Sequence, residues 1–272
     1  MKTVALPSGE KVSAFGMGAW NIGDRRADRG EEIATLRLGL DLGATLIDTA
    51  EMYGDGRSEE LVGEALAGRR GEVFLVSKVY PHNASRKGVP LACERSLQRL
   101  KTDRIDLYLL HWRGSVPFAA TIEAFEALKK AGKIRHYGVS NLDLSGMREW
   151  WKAGGTACAA NQLLFNLSRR GIEWDLLPWL QERKVPVMAY SPIEQARLLR
   201  DPRLVKFAQS RGITPAQAAL AWLLQKEGVI VIPKTGRRER LKENLGAFDI
   251  GGLDELDALF PPPVEPQPLE ML

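Results

Sequence analysis

The sequence predicts an α/β fold, a closed (β/α)8 TIM barrel with a short N-terminal β-hairpin. Three observations carry that prediction. Short apolar runs of strand length recur along the 272 residues. Segments with helical periodicity separate them, and nearly every run ends in polar or ionisable residues. Parallel strands are buried on both faces, so they read as continuous apolar runs. Strand–helix alternation repeated eight times calls for a parallel sheet, and eight such units close into a barrel. An open doubly wound sheet is the other arrangement that fits the pattern.

The elements follow in order. Thr3–Leu6 and Lys11–Ser13, joined through Ser8-Gly9-Glu10, read as a hairpin with a glycine turn. Eight strands are expected at Phe15–Met17, Leu46-Ile47, Val73–Val76, Ile105–Leu110, Tyr137–Val139, Ala159–Gln162, Val187–Tyr190 and Val229–Ile232. Helical spacing marks Glu31–Leu42, with Ile33, Leu36 and Leu40 on one stripe. Ser58–Ala67 opens with a cap-type serine and two glutamates, which suit a helix N-terminus. Leu91–Leu100, Thr121–Ala131, Leu144–Lys152 and Ile172–Arg183 follow. The long interval between Tyr190 and Val229 accommodates an extra short helix around Asp201–Ser210. Thr214-Pro-Ala-Gln217 is a capping box with proline at the first helical position, and Ala218–Gln225 continues it. Arg237–Ala247 is the last long helix. Pro261–Pro268 holds five of the fifteen prolines and reads as an extended tail. No linker divides the chain, so 1–272 is expected to be one barrel domain ending in a Pro-rich tail at 261–272.

Composition excludes several classes. With 44% hydrophobic and 26% charged residues the chain is ordinary globular protein. Lys and Arg number 38 against 34 Asp and Glu, so the excess is +4. That does not call for nucleic acid; one local anionic ligand explains it as well. Cys93 and Cys158 are the only cysteines, which excludes a disulfide scaffold and a Cys-rich metal site. No apolar run reaches the roughly 18 residues of a membrane span. The opening residues lack the apolar core of a signal peptide. The expectation is a soluble cytoplasmic protein with no membrane partner, and a monomer, since a barrel needs no partner to close. HExxH, CxxC, the P-loop and the G-x-S-x-G elbow are all absent. No metal site is expected, and Gly16-Met-Gly18 is a lone GxG, too short for a Rossmann signature.

What ends each strand is the informative feature. Asp48, Ser77-Lys78, His111, Ser140-Asn141, Asn161-Gln162, Tyr190-Ser191 and Pro233-Lys234 follow seven successive runs. In a barrel these ends converge on one face, where βα loops build active sites. Asp48 and Lys78 can pair; burying that pair carries a desolvation penalty, so stability alone motivates it weakly. Tyr53, five residues past Asp48, can reach the same cluster. An ammonium beside a phenol is expected to lower the phenol's pKa and make it a better acid. His111 can hydrogen-bond a substrate carbonyl oxygen. Lys234 and Thr235 stand at a strand end just before a helix N-terminus, which makes an anion site. Arg237 and Arg238 read as a solvated helix start. Trp20 and Trp112 are expected to line an apolar pocket. Trp150, Trp151, Trp174, Trp179 and Trp222 fall in expected helices and read as packing. His82 and His136 have no evident partner.

Taken in order, these residues resemble the aldo-keto reductase family. Ile47-Asp48-Thr-Ala-Glu-Met-Tyr53-Gly54 followed by Ser58-Glu-Glu-Leu-Val-Gly63, Leu109-Leu110-His111-Trp112, Gly138-Val-Ser-Asn141 and Ile232-Pro-Lys-Thr235 are similar to its motifs, from about Leu6 to Asn244. The resemblance implies reversible hydride transfer between NADPH and an aldehyde or ketone, on a barrel rather than a Rossmann fold. It implies Tyr53 as general acid, Lys78 paired with Asp48 to tune it, and His111 orienting the carbonyl. Ser140, Asn141 and Gln162 match positions that hold the nicotinamide carboxamide, and Tyr190 matches the aromatic stacked on that ring. Ser191 would follow the pyrophosphate. Lys234, Thr235 and Arg240 match the grip on the 2′-phosphate, and Glu243 and Asn244 match residues at the adenine. Two departures stand out. Ser191-Pro-Ile-Glu-Gln-Ala-Arg197 lacks the glycine common after that Ser-Pro, so the clamp there is expected to be shorter or to use Arg197 as a point charge. The short tail implies an open pocket with broad substrate range. Two other classes remain open: a regulatory subunit that binds NADPH without turnover, and a Schiff-base enzyme using Lys78.

Overall fold

The computed structural model describes residues 1–272. Strands β1 (Thr3–Ala5) and β2 (Lys11–Ser13) pair antiparallel, Val4 opposite Val12. Gly9 turns the hairpin at φ +87. Eight parallel strands follow: β3 (Gly16–Gly18), β4 (Leu46–Asp48), β5 (Phe74–Val79), β6 (Ile105–Leu110), β7 (Ile134–Ser140), β8 (Cys158–Leu164), β9 (Val187–Tyr190) and β10 (Val229–Val231). Each pairs with the next in sequence order. Phe15 bridges Val231 and Gly18 bridges Lys234, both parallel, so the two edge strands meet. The architecture is therefore the (β/α)8 barrel and not the open sheet. Gly16-Met-Gly18 belongs to this seam. A Cβ on Gly18 would stand 2.9 Å from the Ile232 carbonyl oxygen, so only glycine lets the strands close.

Helices α1 (Arg29–Asp41), α2 (Arg57–Ala65), α3 (Gly88–Leu100), α4 (Phe118–Lys130), α5 (Leu144–Lys152), α6 (Leu176–Glu182), α7 (Pro202–Ser210), α8 (Pro215–Gln225), α9 (Arg238–Leu245) and α10 (Asp254–Leu259) complete the molecule. The expected capping box at Thr214 and Gln217 is formed in both directions. None of the helices is long and apolar enough to cross a membrane. Strands β4, β5, β6 and β8 are buried at every position, as the continuous apolar runs require.

Three local expectations are corrected. Ser58 does not cap α2; Gly56, at φ +92, holds the N-cap position. The Ser58 hydroxyl is instead buried, donating to the Ala19 carbonyl at 2.8 Å and lying 2.9 Å from Thr49 Oγ1. Ile172–Arg183 is not continuous. It splits into a 3-10 turn at Gly171–Glu173 and α6, because Pro178 has no N–H for the Trp174 carbonyl and its ring would clash there. Trp174 consequently lies between the two and is 45% exposed, so packing does not account for it. Trp150, by contrast, is fully buried and its indole N–H donates to the Gly155 carbonyl. At the N-terminal end of the barrel Glu10 reaches Arg135 and His136, both at 2.7 Å, giving His136 a partner invisible in the sequence.

Candidate active site

The C-terminal ends of β4, β5 and β6 bring Asp48, Lys78 and His111 together. Lys78 is completely buried. Its Nζ donates to Asp48 Oδ2 at 2.8 Å, to the Thr49 carbonyl at 2.8 Å and to the Tyr53 hydroxyl at 3.1 Å. Three partners satisfy the three N–H donors of an ammonium. Burial opposes its charge, but Asp48 and Tyr53 outweigh that and the ammonium is held above its ordinary pKa.

Tyr53 comes from the turn after β4, where Gly54 and Asp55 both adopt left-handed backbone. That turn aims the phenol back toward Lys78. The expected lowering of its pKa is not the net effect. Burial pushes the phenol up, Lys78 pulls it down, and Asp48 behind the lysine pushes it up again; the result lies above the ordinary value. Charge attraction here is weaker than desolvation, because the ammonium is already compensated by Asp48.

His111 lies edge-on to Tyr53, ring centroids 5.9 Å apart. Its Nδ1 is buried without a partner. Burial, with Lys78 nearby, lowers its pKa to about 2, so the ring is neutral. Trp112 packs on His111 at 4.7 Å and edge-on against Tyr80 at 5.8 Å. Tyr80 in turn lies 4.7 Å from His82, which gives His82 its neighbour. Trp20 is 43% exposed, an unusual degree for a tryptophan at a strand end. Sequence reading missed Tyr80 and left His82 without a partner, because neither belongs to a recognised motif and their contact with each other forms only in the fold. Glu51 holds their loop, accepting from Tyr80 N at 2.8 Å and Asn83 Nδ2 at 3.0 Å.

The ends of β7, β8 and β9 form the adjoining wall. Tyr190 donates its hydroxyl to Asn141 Oδ1 at 3.1 Å, and Asn141 Nδ2 reaches the His111 carbonyl at 3.2 Å. Burial raises the Tyr190 phenol to about 12. Ser140 Oγ donates to the Gln162 carbonyl at 3.0 Å. Gln162 Nε2 donates to Asp48 Oδ1 at 2.7 Å, so its amide nitrogen is engaged and its oxygen is the atom left for another group. That orientation follows from the carboxylate, which can only accept.

Past β10 the cations divide into two sets. Arg238 grips Glu31 with Nε at 3.1 Å and Nη2 at 3.0 Å, and Arg237 faces Asp28 at 3.7 Å. Lys234 and Arg240 make no ion pair with the protein and are exposed. Thr235 is partly exposed and bonds within its own turn through Arg237. Asn244 is buried and Glu243 half-buried on α9. Arg197 is not a free point charge, because its Nη2 lies 2.8 Å from the buried Glu194. The two cysteines are buried, and burial raises each thiol to about 12.

Comparison with known proteins places the whole chain in one family and fold. The family model described as Aldo/keto reductase family matches residues 14–258. Methylglyoxal reductase YeaE of Escherichia coli (strain K12) is 46% identical, covering 100% of this chain and 99% of that protein. Glyoxal reductase of Bacillus subtilis (strain 168) is 33% identical over 99% of this chain and 97% of its own length. An aldo/keto reductase from Klebsiella pneumoniae, solved with NADP and acetate, is 49% identical with a TM-score of 0.96, covering 100% and 99% of the two chains. An aldo-keto reductase from that organism has also been solved with NADPH, at the same identity, TM-score and coverage.

Proposed function

The chain belongs to the aldo/keto reductase family, and from that premise we propose that it reduces small aldehydes and ketones with Tyr53 as the proton donor. It is an NADP-dependent oxidoreductase. The reading is carried by one observation: the Tyr53 hydroxyl sits 3.1 Å from an ammonium that is itself buried against Asp48.

The residues present fit the dinucleotide. Lys234 and Arg240 are uncompensated cations beyond one strand end, suited to a 2′-phosphate that NADH lacks. Thr235 adds a hydroxyl, and Glu243 and Asn244 border the same loop for the adenine. Tyr190 offers an aromatic face beside Asn141 and Ser140, and Gln162 offers its amide oxygen there. Ser191 continues from Tyr190 toward the phosphates.

NADPH, when bound, supplies the hydride for the carbonyl carbon. Tyr53 gives its proton to the carbonyl oxygen as negative charge develops there. Its raised pKa keeps it protonated at neutral pH, and Lys78 stabilises the phenolate that remains. Neutral His111 can donate one ring N–H to the same oxygen without bringing a charge that would oppose Lys78. Trp20 and Trp112 enclose the substrate with Tyr80, which suits small carbonyl compounds. We take 2-oxoaldehydes as the substrate class, following the names of the relatives from E. coli and B. subtilis. We also propose that residues 1–272 work as one domain, as a monomer in the cytoplasm.

Loss of NADPH absorbance with methylglyoxal tests the reading. Turnover in the wild type and its loss in Tyr53→Phe are expected. Tight NADPH binding with no turnover of any aldehyde or ketone would favour a sensor instead.

A further inference from the structure

The loop after β9 departs from ordinary backbone. Ser191, Glu194, Gln195 and Ala196 have φ of 47, 51, 50 and 69, and none is glycine. Side chains rarely adopt that conformation unless the surroundings impose it. Glu194 is where they impose it. It is only 4% exposed. One oxygen accepts from Asn166 Nδ2 at 2.7 Å. The other accepts from Arg169 Nε at 3.0 Å, Arg169 Nη2 at 2.9 Å and Arg197 Nη2 at 2.8 Å. Burial opposes its charge, yet these partners hold the carboxyl below the usual range.

Arg169 does not stop there. Its Nη1 binds Glu270 in the tail. The two carboxylates use different guanidinium nitrogens, so they do not compete, and each fixes the plane in which the other binds. The tail next to Glu270 meets the site directly, with Leu272 N lying 3.4 Å from the Tyr190 hydroxyl. Arg169 and tail residues Gln267–Glu270 line the same cavity of about 330 Å3, and Leu269 packs partly buried against the core beside it. A single arginine thus joins the loop after β8, the loop after β9 and the tail.

We propose that Glu270, Arg169 and Glu194 form a positioning relay through which the tail holds the loop 191–197 and sets how fast the dinucleotide exchanges. The proposal rests on the reading that Ser191 borders the cofactor. It assigns the tail a part in cofactor exchange, where its shortness alone implies only an open pocket. Glu194 and Arg169 do by charge what a flexible glycine would leave undone, and the loop is stiff for as long as the relay is intact.

The test uses Glu270→Gln, a half-exposed change that leaves Glu194 fully paired, with Arg169→Gln as a second variant. Hydrogen exchange is followed at 191–197 in the cofactor-free protein, and NADPH release by stopped-flow fluorescence. Glu270→Gln is expected to speed exchange at 191–197 and NADPH release by about 3- to 10-fold, and Arg169→Gln by more, with exchange in α8 unchanged. Unaltered exchange at 191–197 overturns the relay. Faster exchange with unaltered NADPH release overturns its role in cofactor exchange. A wild type that fails to bind NADPH overturns the functional reading itself, and the exchange result at 191–197 separates that case from a failed relay.

Discussion

Lys78 Nζ stands 2.8 Å from Asp48 Oδ2, with the lysine fully buried and the aspartate nearly so. Neither charge can be removed alone without stranding the other in a low dielectric. Lys78→Met is therefore expected to destabilise the fold by about 3–5 kcal/mol. The double variant Asp48→Asn with Lys78→Met should lose less than the sum of the two single changes. Urea denaturation of the four proteins measures this; strict additivity would mean the pair is not coupled.

Tyr53→Phe removes one oxygen and leaves the ring beside His111. A general acid contributes about 100- to 10,000-fold, and kcat should fall by that order. The dissociation constant for NADPH should move by no more than about 3-fold, since the change touches a step made only in the transition state. Retention of most activity would show that another group supplies the proton.

His111 makes stability depend on pH with a definite sign. Its folded pKa is about 2. Below about 6.5 the unfolded chain binds a proton there that the folded chain does not, so stability falls as pH drops and is unaffected above that value. Between pH 7 and pH 5 the loss from this residue is about 2 kcal/mol. His111→Asn should show a correspondingly shallower decline in chemical denaturation. An identical decline in both proteins would mean the histidine is protonated in the fold.

The cations past β10 should separate cleanly. Lys234→Ala with Arg240→Ala is expected to raise the KM for NADPH by at least about 10-fold, with little change for NADH. Arg238→Ala should affect neither cofactor comparably, because Glu31 already holds that guanidinium. Steady-state kinetics with both nucleotides decides it; equal losses for NADPH and NADH would remove the 2′-phosphate from the account.

Cys93 and Cys158 should resist modification in the folded protein. Burial raises both thiols to about 12, leaving almost no thiolate at neutral pH. A thiol-specific reagent should react only after denaturant is added, and turnover should be insensitive to it. Rapid native labelling at either position would mean that part of the barrel opens.

By itself the sequence determined eight strand–helix units of a parallel sheet and the residues that end its strands; the bridges from Phe15 to Val231 and from Gly18 to Lys234 decided that the sheet closes. The units and the strand ends are local signals: a buried parallel strand is apolar along most of its length, and its polar residues gather toward the C-terminal end that faces the site. Asp48, Lys78, His111 and Tyr190 were legible for that reason, and Tyr53 through its motif. Tertiary structure alone decided what those residues touch. Gln162 sits 114 residues from the Asp48 it binds, and Glu31 sits 207 from Arg238. It also decided the direction of the Tyr53 shift, because desolvation is a property of the whole enclosure and not of the neighbouring charge. Glu194 was the residue least visible in the chain. A glutamate in a surface-like stretch carries no mark of burial until Arg169, Arg197 and Asn166 converge on it in the fold.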